Sequence, residues 1–202
     1  MSKFFPTLFI GIALPAQAQP EDWYSFWGLG LAQNNYSGDR KNEVDRLKAS
    51  NLDMTESKAN VLGFYWPYSE QEALGFVLNG VATRFMPSRN KCNSFKEVSY
   101  TDSTISMSYM KFYGSEIGHG WYYRGDLGVN TSETSFKTHN CSDINQYEQV
   151  RDDDFGAALL LGGGYGFKYS EETRILVGME LSQTFIDNNE VTSLALTVNG
   201  LW

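Results

Sequence analysis

Cysteine and histidine are scarce in this chain, with two of each in 202 residues. Cys92 and Cys141 are too few to staple a disulfide-built scaffold, and they lack the spacing of a metal site. Positive charge is short as well: 16 Lys and Arg stand against 24 Asp and Glu, a net of −8. That excludes the basic footprint with which a protein replaces the counterions of nucleic acid. Beyond the first twenty residues no run is apolar for the ~18 residues a transmembrane helix needs. What the chain does have is 15% aromatic residues and 19 glycines, in a length that fits one domain.

The first twenty residues read as a secretory signal. Lys3 gives a positive start, Phe4 to Leu14 a short apolar core, and Ala16-Gln17-Ala18 an A-x-A site with cleavage expected after Ala18. This divides the chain into a signal peptide, 1–18, and one domain, 19–202. No cysteine follows the cleavage site, which argues against a lipoprotein. Losing Lys3 leaves 15 basic against 24 acidic residues, a net of −9. Export also places both cysteines where disulfides persist.

From Asp22 onward the pattern has period two, and no amphipathic helix stands out. Eight segments carry it: Asp22–Asn35, Lys58–Trp66, Ala73–Phe85, Val98–Gly114, Gly120–Phe136, Phe155–Tyr169, Thr173–Ile186 and Thr192–Trp202. The connections alternate in length. Tyr36–Ser57, Met86–Glu97 and Lys137–Asp154 are long and polar, and Asp187–Val191 closes that series. Pro67–Glu72, Ser115–His119 and Ser170–Glu172 are short. Loops sorted by length to two ends suit an antiparallel transmembrane barrel.

The two faces differ in bulk. Trp121, Tyr123, Leu127 and Val129 alternate with Tyr122, Arg124, Asp126, Gly128 and Asn130. Ile175, Val177, Met179 and Leu181 alternate with Arg174, Gly178, Glu180 and Ser182. Small side chains belong where space is tight, so the polar face points into a narrow barrel and the bulky face toward lipid. A soluble lipocalin-type barrel shows the same alternation and stays open as an alternative. The third and sixth segments are apolar on both faces, and alternation does not orient them. Arg84 can be lumenal or at the rim. Aromatics gather at the short-turn end (Trp23, Trp27, Trp66, Tyr68, Phe112, Tyr113, Trp121, Tyr123, Phe167, Tyr169, Trp202) and again at the other end (Phe85, Tyr100, Phe136, Phe185). Two interfacial belts are expected from this.

A signal peptide, a strand at the mature N-terminus and a last strand, TSLALTVNGLW, at the chain end resemble the small eight-stranded outer-membrane barrels of Gram-negative bacteria, of the OmpX and OmpA-transmembrane kind. The resemblance implies an all-β, up-and-down, eight-stranded antiparallel transmembrane barrel with short periplasmic turns and long extracellular loops. It implies residence in the outer membrane among its lipids and lipopolysaccharide. It also implies an assembly signal read by the barrel-assembly machinery, with Trp202 as the terminal aromatic and Leu196 and Val198 on its face. A monomer is expected, with no nucleic acid, cofactor or metal, and an extracellular ligand remains open.

Candidate chemistry is sparse. Arg124, Asp126 and Glu180 fall at mid-strand positions on the inferred lumenal face, where buried charges must pair. They are expected to plug the barrel, with Lys168 and Arg174 nearer the periplasmic turns. The alternative is a narrow channel or carrier. Lipid A-modifying enzymes of similar barrels use His with Ser or Asp at the outer rim. Here His139 has Ser142 and Asp143 nearby, but proximity in a loop is not a positioned triad. No catalytic residue is assigned, and a non-enzymatic surface protein with binding loops is the leading expectation. Cys92 and Cys141 lie in loops flanking adjacent strands, so a disulfide is feasible. Arg151-Asp152-Asp153-Asp154 lacks the alternating spacing of a Ca²⁺ loop. The segment RKNEVDRLKASNLDM suits a short helix above the barrel.

Overall fold

The computed structural model describes residues 23–50, 52–87, 95–140, 143–186 and 189–202; of these, the side chains of 87, 95–96, 138–140 and 143–153 are not described. Residues 1–18 with Ala18, both cysteines and Ser142 lie outside the described residues. The strands are β1 (Tyr24–Tyr36), β2 (Leu52–Pro67), β3 (Glu72–Pro87), β4 (Phe95–Phe112), β5 (Gly120–Asn140), β6 (Asp143–Lys168), β7 (Arg174–Ile186) and β8 (Asn189–Leu201). One helix, α1 (Gly38–Ala49), joins β1 to β2. Each strand is antiparallel to the next. β8 returns to β1, with Leu201 opposite Phe26 and Val191 opposite Tyr36, so the sheet closes as an eight-stranded up-and-down barrel.

Alternation decides what each face meets. On β5, Trp121, Tyr123, Leu127 and Val129 face outward and are exposed, while Tyr122, Arg124, Asp126 and Asn130 face inward and are buried. Leu31 is 76% exposed on the outside, whereas Leu176 is fully buried inside. A continuous apolar exterior of this kind is stable against lipid and not against water. No helix among the described residues is long and apolar enough to cross a membrane, and the crossings are made by strands. β3 turns Val77, Asn79, Val81 and Thr83 inward and Leu74, Phe76 and Leu78 outward; β6 turns Leu160 inward and Leu159, Leu161 and Phe167 outward. Arg84 is on the outside at the extracellular rim, half exposed and paired with Glu97.

Two expectations are corrected. First, the strands run further than the alternation suggests. β2 begins at Leu52 and not Lys58, and most of Lys137–Asp154 extends the β5–β6 hairpin, with Lys137 opposite Glu148 and Thr134 opposite Arg151. A hairpin standing clear of lipid has no apolar face to keep, so its periodicity lapses while its backbone pairing continues. Second, the outward aromatics gather mainly at the periplasmic end, in Trp27, Trp66, Tyr68, Tyr113, Trp121 and Tyr169, with Trp27 stacked on Trp202 at 5.1 Å, while Phe185 and Phe155 are exposed outward at the extracellular end. Phe112, Phe85 and Tyr100 are not belt residues. Each shares the parity of the inward positions on its strand and is buried in the lumen. Phe136 is half-buried against the same upper cluster as Phe85 and Tyr100.

The interior is layered. An apolar floor of Phe26, Tyr65, Met110, Phe112, Tyr122 and Leu176 closes the periplasmic end. An upper cluster of Tyr36, Val44, Phe85, Val98, Tyr100 and Val191 closes the extracellular end. Polar residues fill the space between them. The packing is tight enough that a Cβ on Gly28 would lie 1.9 Å from Asn199 Oδ1. Gly118, in the second periplasmic turn, has φ of 83° and lies against the Arg174 side chain, so both backbone and space require glycine.

Candidate functional site

The centre of the lumen is a four-charge network on β2, β5 and β7. Arg124 Nε donates to Asp126 Oδ1 at 2.9 Å and Nη2 donates to Oδ2, a bidentate pair between inward neighbours on one strand. Its Nη1 reaches Glu180 Oε1 at 3.2 Å and Asn60 Oδ1 at 3.3 Å. Lys58 Nζ sits 3.3 Å from Glu180 Oε2, paired by charge though not aligned as a hydrogen bond. Asn60 Nδ2 donates to Glu180 Oε1 at 3.1 Å and to Asn199 Oδ1 at 2.8 Å. Ser108 donates to Asp126 and meets the Tyr65 hydroxyl at 2.6 Å. The Arg124 guanidinium lies 5.0 Å from the Phe26 ring, on top of the apolar floor. Two cations and two anions therefore balance inside the wall.

A second charge pair seals the mouth, and it comes from the helix. Arg40 and Val44 are four apart on α1, which puts them on one face, and both are buried against the barrel. Arg40 Nη1 donates to Asp102 Oδ1 at 3.1 Å and Nη2 to Ser132. Its guanidinium lies 5.9 Å from the Tyr36 ring and 5.6 Å from the Tyr100 ring. The helix is tied down at its start: Ser37 Oγ accepts from the Glu190 amide at 2.8 Å, and the Arg40 amide donates to Asn189 Oδ1 at 3.1 Å. Asp39 in the first turn and Arg46 and Lys48 in the last suit the helix dipole.

Between these clusters lies a cavity lined by Asn79, Asp102, Thr104, Ser106, Ser182 and Thr184, with a volume of about 10 Å³. That holds about one water, against the ~300–1,000 Å³ of small-molecule pockets.

Below the floor, Glu116 in the second periplasmic turn pairs with Arg174 at 3.2 Å and Lys168 at 3.3 Å. Burial raises its carboxyl, but Lys168 and Arg174 outweigh this and hold it below the usual carboxylate value of 4.5. The stabilisation is complete above the unfolded value and is lost as pH falls through the lower folded one. Glu116 is partly exposed, so solvent screening limits the pairs to about 0.5 kcal/mol. Thermal unfolding of the wild type is expected to lose that increment on acidification below about pH 4.5. Glu116→Gln should show no such increment, and equal acid slopes in the two would refute the assignment.

The alternation points to Arg124, Asp126 and Glu180, and the structure brings all three together. It adds Lys58, Asn60, Asp102 and Arg40. Asp102 carries the same parity as Thr104 and Ser106, so the period already marked it. Lys58 and Asn60 are hidden by a bulge between Asn60 and Leu62, where Val61 and Leu62 both face out. Arg40 is on a helix, where a period of two carries no information. Lys168 and Arg174 are at the periplasmic turns. Leu196 and Val198 face outward on β8, and Trp202 follows that strand. His139 belongs to β5, opposite Phe95, with its side chain outside the described residues. The described residues contain no group of three metal-ligating side chains.

No protein-family model matches the chain, and no curated protein matches it in sequence. Solved structures do. Ail, the attachment invasion locus protein of Yersinia pestis, in complex with the heparin analogue sucrose octasulfate, superposes with a TM-score of 0.55 at 11% identity, covering 90% of this chain and 99% of that one. Ail without the analogue gives 0.51 at 12%, with 90% and 99% covered. Neisserial surface protein A gives 0.44 at 12%, with 89% and 95% covered. The fold is that of a small outer-membrane barrel. With the apolar exterior, that fold puts the chain in the outer membrane of a Gram-negative bacterium. The short turns are then periplasmic, and α1 and the β5–β6 hairpin stand on the outer surface.

Proposed function

We propose that this outer-membrane barrel is a non-enzymatic surface protein, a plugged anchor that presents α1 and the β5–β6 hairpin to extracellular partners. The observation that carries the proposal is the hairpin itself. β5 has 21 residues and β6 has 26, against the ~9–11 that cross a bilayer. β6 pairs with β7 only from Gly156 onward. Residues 143–153 therefore have β5 on one side and, among the described residues, no strand on the other. An open backbone edge held clear of the membrane is a template for a partner's strand. The small cavity in the lumen supports a plug and weighs against a carrier.

The remaining partners belong to the same proposal. Outer-membrane lipids and lipopolysaccharide surround the apolar band, the barrel-assembly machinery reads Leu196, Val198 and Trp202, and the barrel works as a monomer. The test replaces residues 133–153 by a two-residue Asn-Gly turn, which suits a hairpin and joins Ser132 to Asp154, already opposite each other. Cells displaying the wild type are expected to adhere to protein-coated surfaces at least about tenfold better than cells displaying the shortened barrel, with both barrels heat-modifiable in gels. Equal adhesion would overturn the proposal. So would a change in lipid A acylation, read by mass spectrometry, that disappears in His139→Ala.

A further inference from the structure

The outer wall has one feature that the surface role does not use. Across β4, β5 and β6, the outward positions Tyr109, Gly125 and Leu161 are in register. A side chain is missing at the middle one. A Cβ built on Gly125 would meet only Leu161 Cδ2, at 4.0 Å. The gap opens a groove of about 370 Å³ lined by Leu74, Met107, Tyr109, Leu127 and Leu161. It faces the membrane.

The next outward row toward the periplasm lies two residues further along, about 7 Å away. It reads Glu72, Lys111, Tyr123 and Gly163 in register. Lys111 Nζ is 2.7 Å from Glu72 Oε1, and both side chains are partly exposed. Charges on the lipid face are costly at depth and become tolerable near the interface. Here a cation and an anion sit side by side at the periplasmic end, directly below an apolar slot.

We propose that this face binds one phospholipid of the periplasmic leaflet with an amine headgroup, phosphatidylethanolamine in chemical type. Its phosphate meets Lys111, its ammonium meets Glu72, and an acyl chain lies in the groove over Gly125. The charge pattern selects this occupant. An anionic phosphatidylglycerol satisfies Lys111 and sets its remaining hydroxyls against Glu72 without a cation. Lipopolysaccharide belongs to the opposite leaflet. The proposal rests on the membrane-spanning fold and not on the extracellular role.

Native mass spectrometry of the full chain in detergent, titrated with each lipid, tests it. The wild type is expected to retain one phosphatidylethanolamine, at least about tenfold more tightly than phosphatidylglycerol. Gly125→Leu fills the slot, and Lys111→Met removes the phosphate partner. Each is expected to weaken binding at least about tenfold, with heat-modifiable migration reporting that the barrel still folds. The barrel lacking residues 133–153 is expected to bind the lipid as the wild type does, which separates this result from the adhesion test. Equal affinity for the two phospholipids, unchanged binding in Gly125→Leu, or preference for lipopolysaccharide would overturn it.

Discussion

Replacing Arg124 by Met is expected to destabilise the barrel by about 3–5 kcal/mol, the usual cost of breaking a buried ion pair from one side. Arg124 is 2% exposed. Among the described residues it alone bridges Asp126 and Glu180 and is the one cation paired with Asp126, while Glu180 keeps Lys58 at 3.3 Å. The wall is rigid, and Asp126 cannot turn out to water. The measurement is the urea midpoint of the protein refolded into lipid vesicles, followed by heat-modifiable migration. Charge balance gives a sharper check. Removing Arg124 and Asp126 together, as Arg124→Met with Asp126→Leu, leaves Lys58 and Glu180 as a neutral pair, and replacing a buried ion pair by apolar residues is often neutral. The double variant is therefore expected to recover most of the loss, with a coupling of at least about 1 kcal/mol. Strict additivity of the two single changes would sink the plug reading.

How much of this was legible depends on which physical constraint each residue answers to. A residue inside the membrane band answers to two environments at once, lipid outside and a crowded lumen inside. That is why Leu127, Val129, Arg124 and Asp126 declare their faces in the sequence. The same constraint marked Tyr100 and Phe85 as inward by parity, but their bulk and position near a strand end invited a belt assignment. The lumen buries aromatic rings at both ends, Phe26, Tyr65, Phe112 and Tyr122 in the floor and Tyr36, Phe85 and Tyr100 above, so an aromatic near a strand end does not by itself mark a belt. Above the band the constraint lapses. The β5–β6 extension continues by backbone pairing, and its polar sequence looks like a loop. β6 failed to declare an orientation for a different reason. It is apolar inward at Leu160 as well as outward at Leu159 and Leu161, and its run of glycines at 162–164 gives no side chains to read.

The Arg40–Asp102 pair answers to an asymmetry that a test can expose. Asp102 is fixed in the wall of β4, fully buried, whereas Arg40 hangs from a helix docked over the mouth. Removing the cation leaves a buried carboxylate that gains bulk water only if α1 lifts. Removing the carboxylate leaves a guanidinium that can swing to solvent and still lie near the Tyr36 and Tyr100 rings. Arg40→Ala is therefore expected to cost more than Asp102→Asn, although both break the same contact. The cost should appear locally, because undocking α1 relieves Asp102 without opening the sheet. Amide exchange across Gly38–Ala49 is expected to rise by about a hundredfold in Arg40→Ala, the equivalent of about 3 kcal/mol, while the barrel strands change little. Asp102→Asn should rise less, and combining it with Arg40→Ala should bring exchange back toward the wild type. Lifting the helix is not expected to make a pore, because the apolar floor of Phe26, Tyr65, Phe112 and Leu176 still closes the other end. Planar bilayers holding Arg40→Ala should show no porin-like steps. Faster exchange in Asp102→Asn than in Arg40→Ala would show that the helix, and not the buried carboxylate, bears the cost, and steady conductance in Arg40→Ala would show that the floor does not seal.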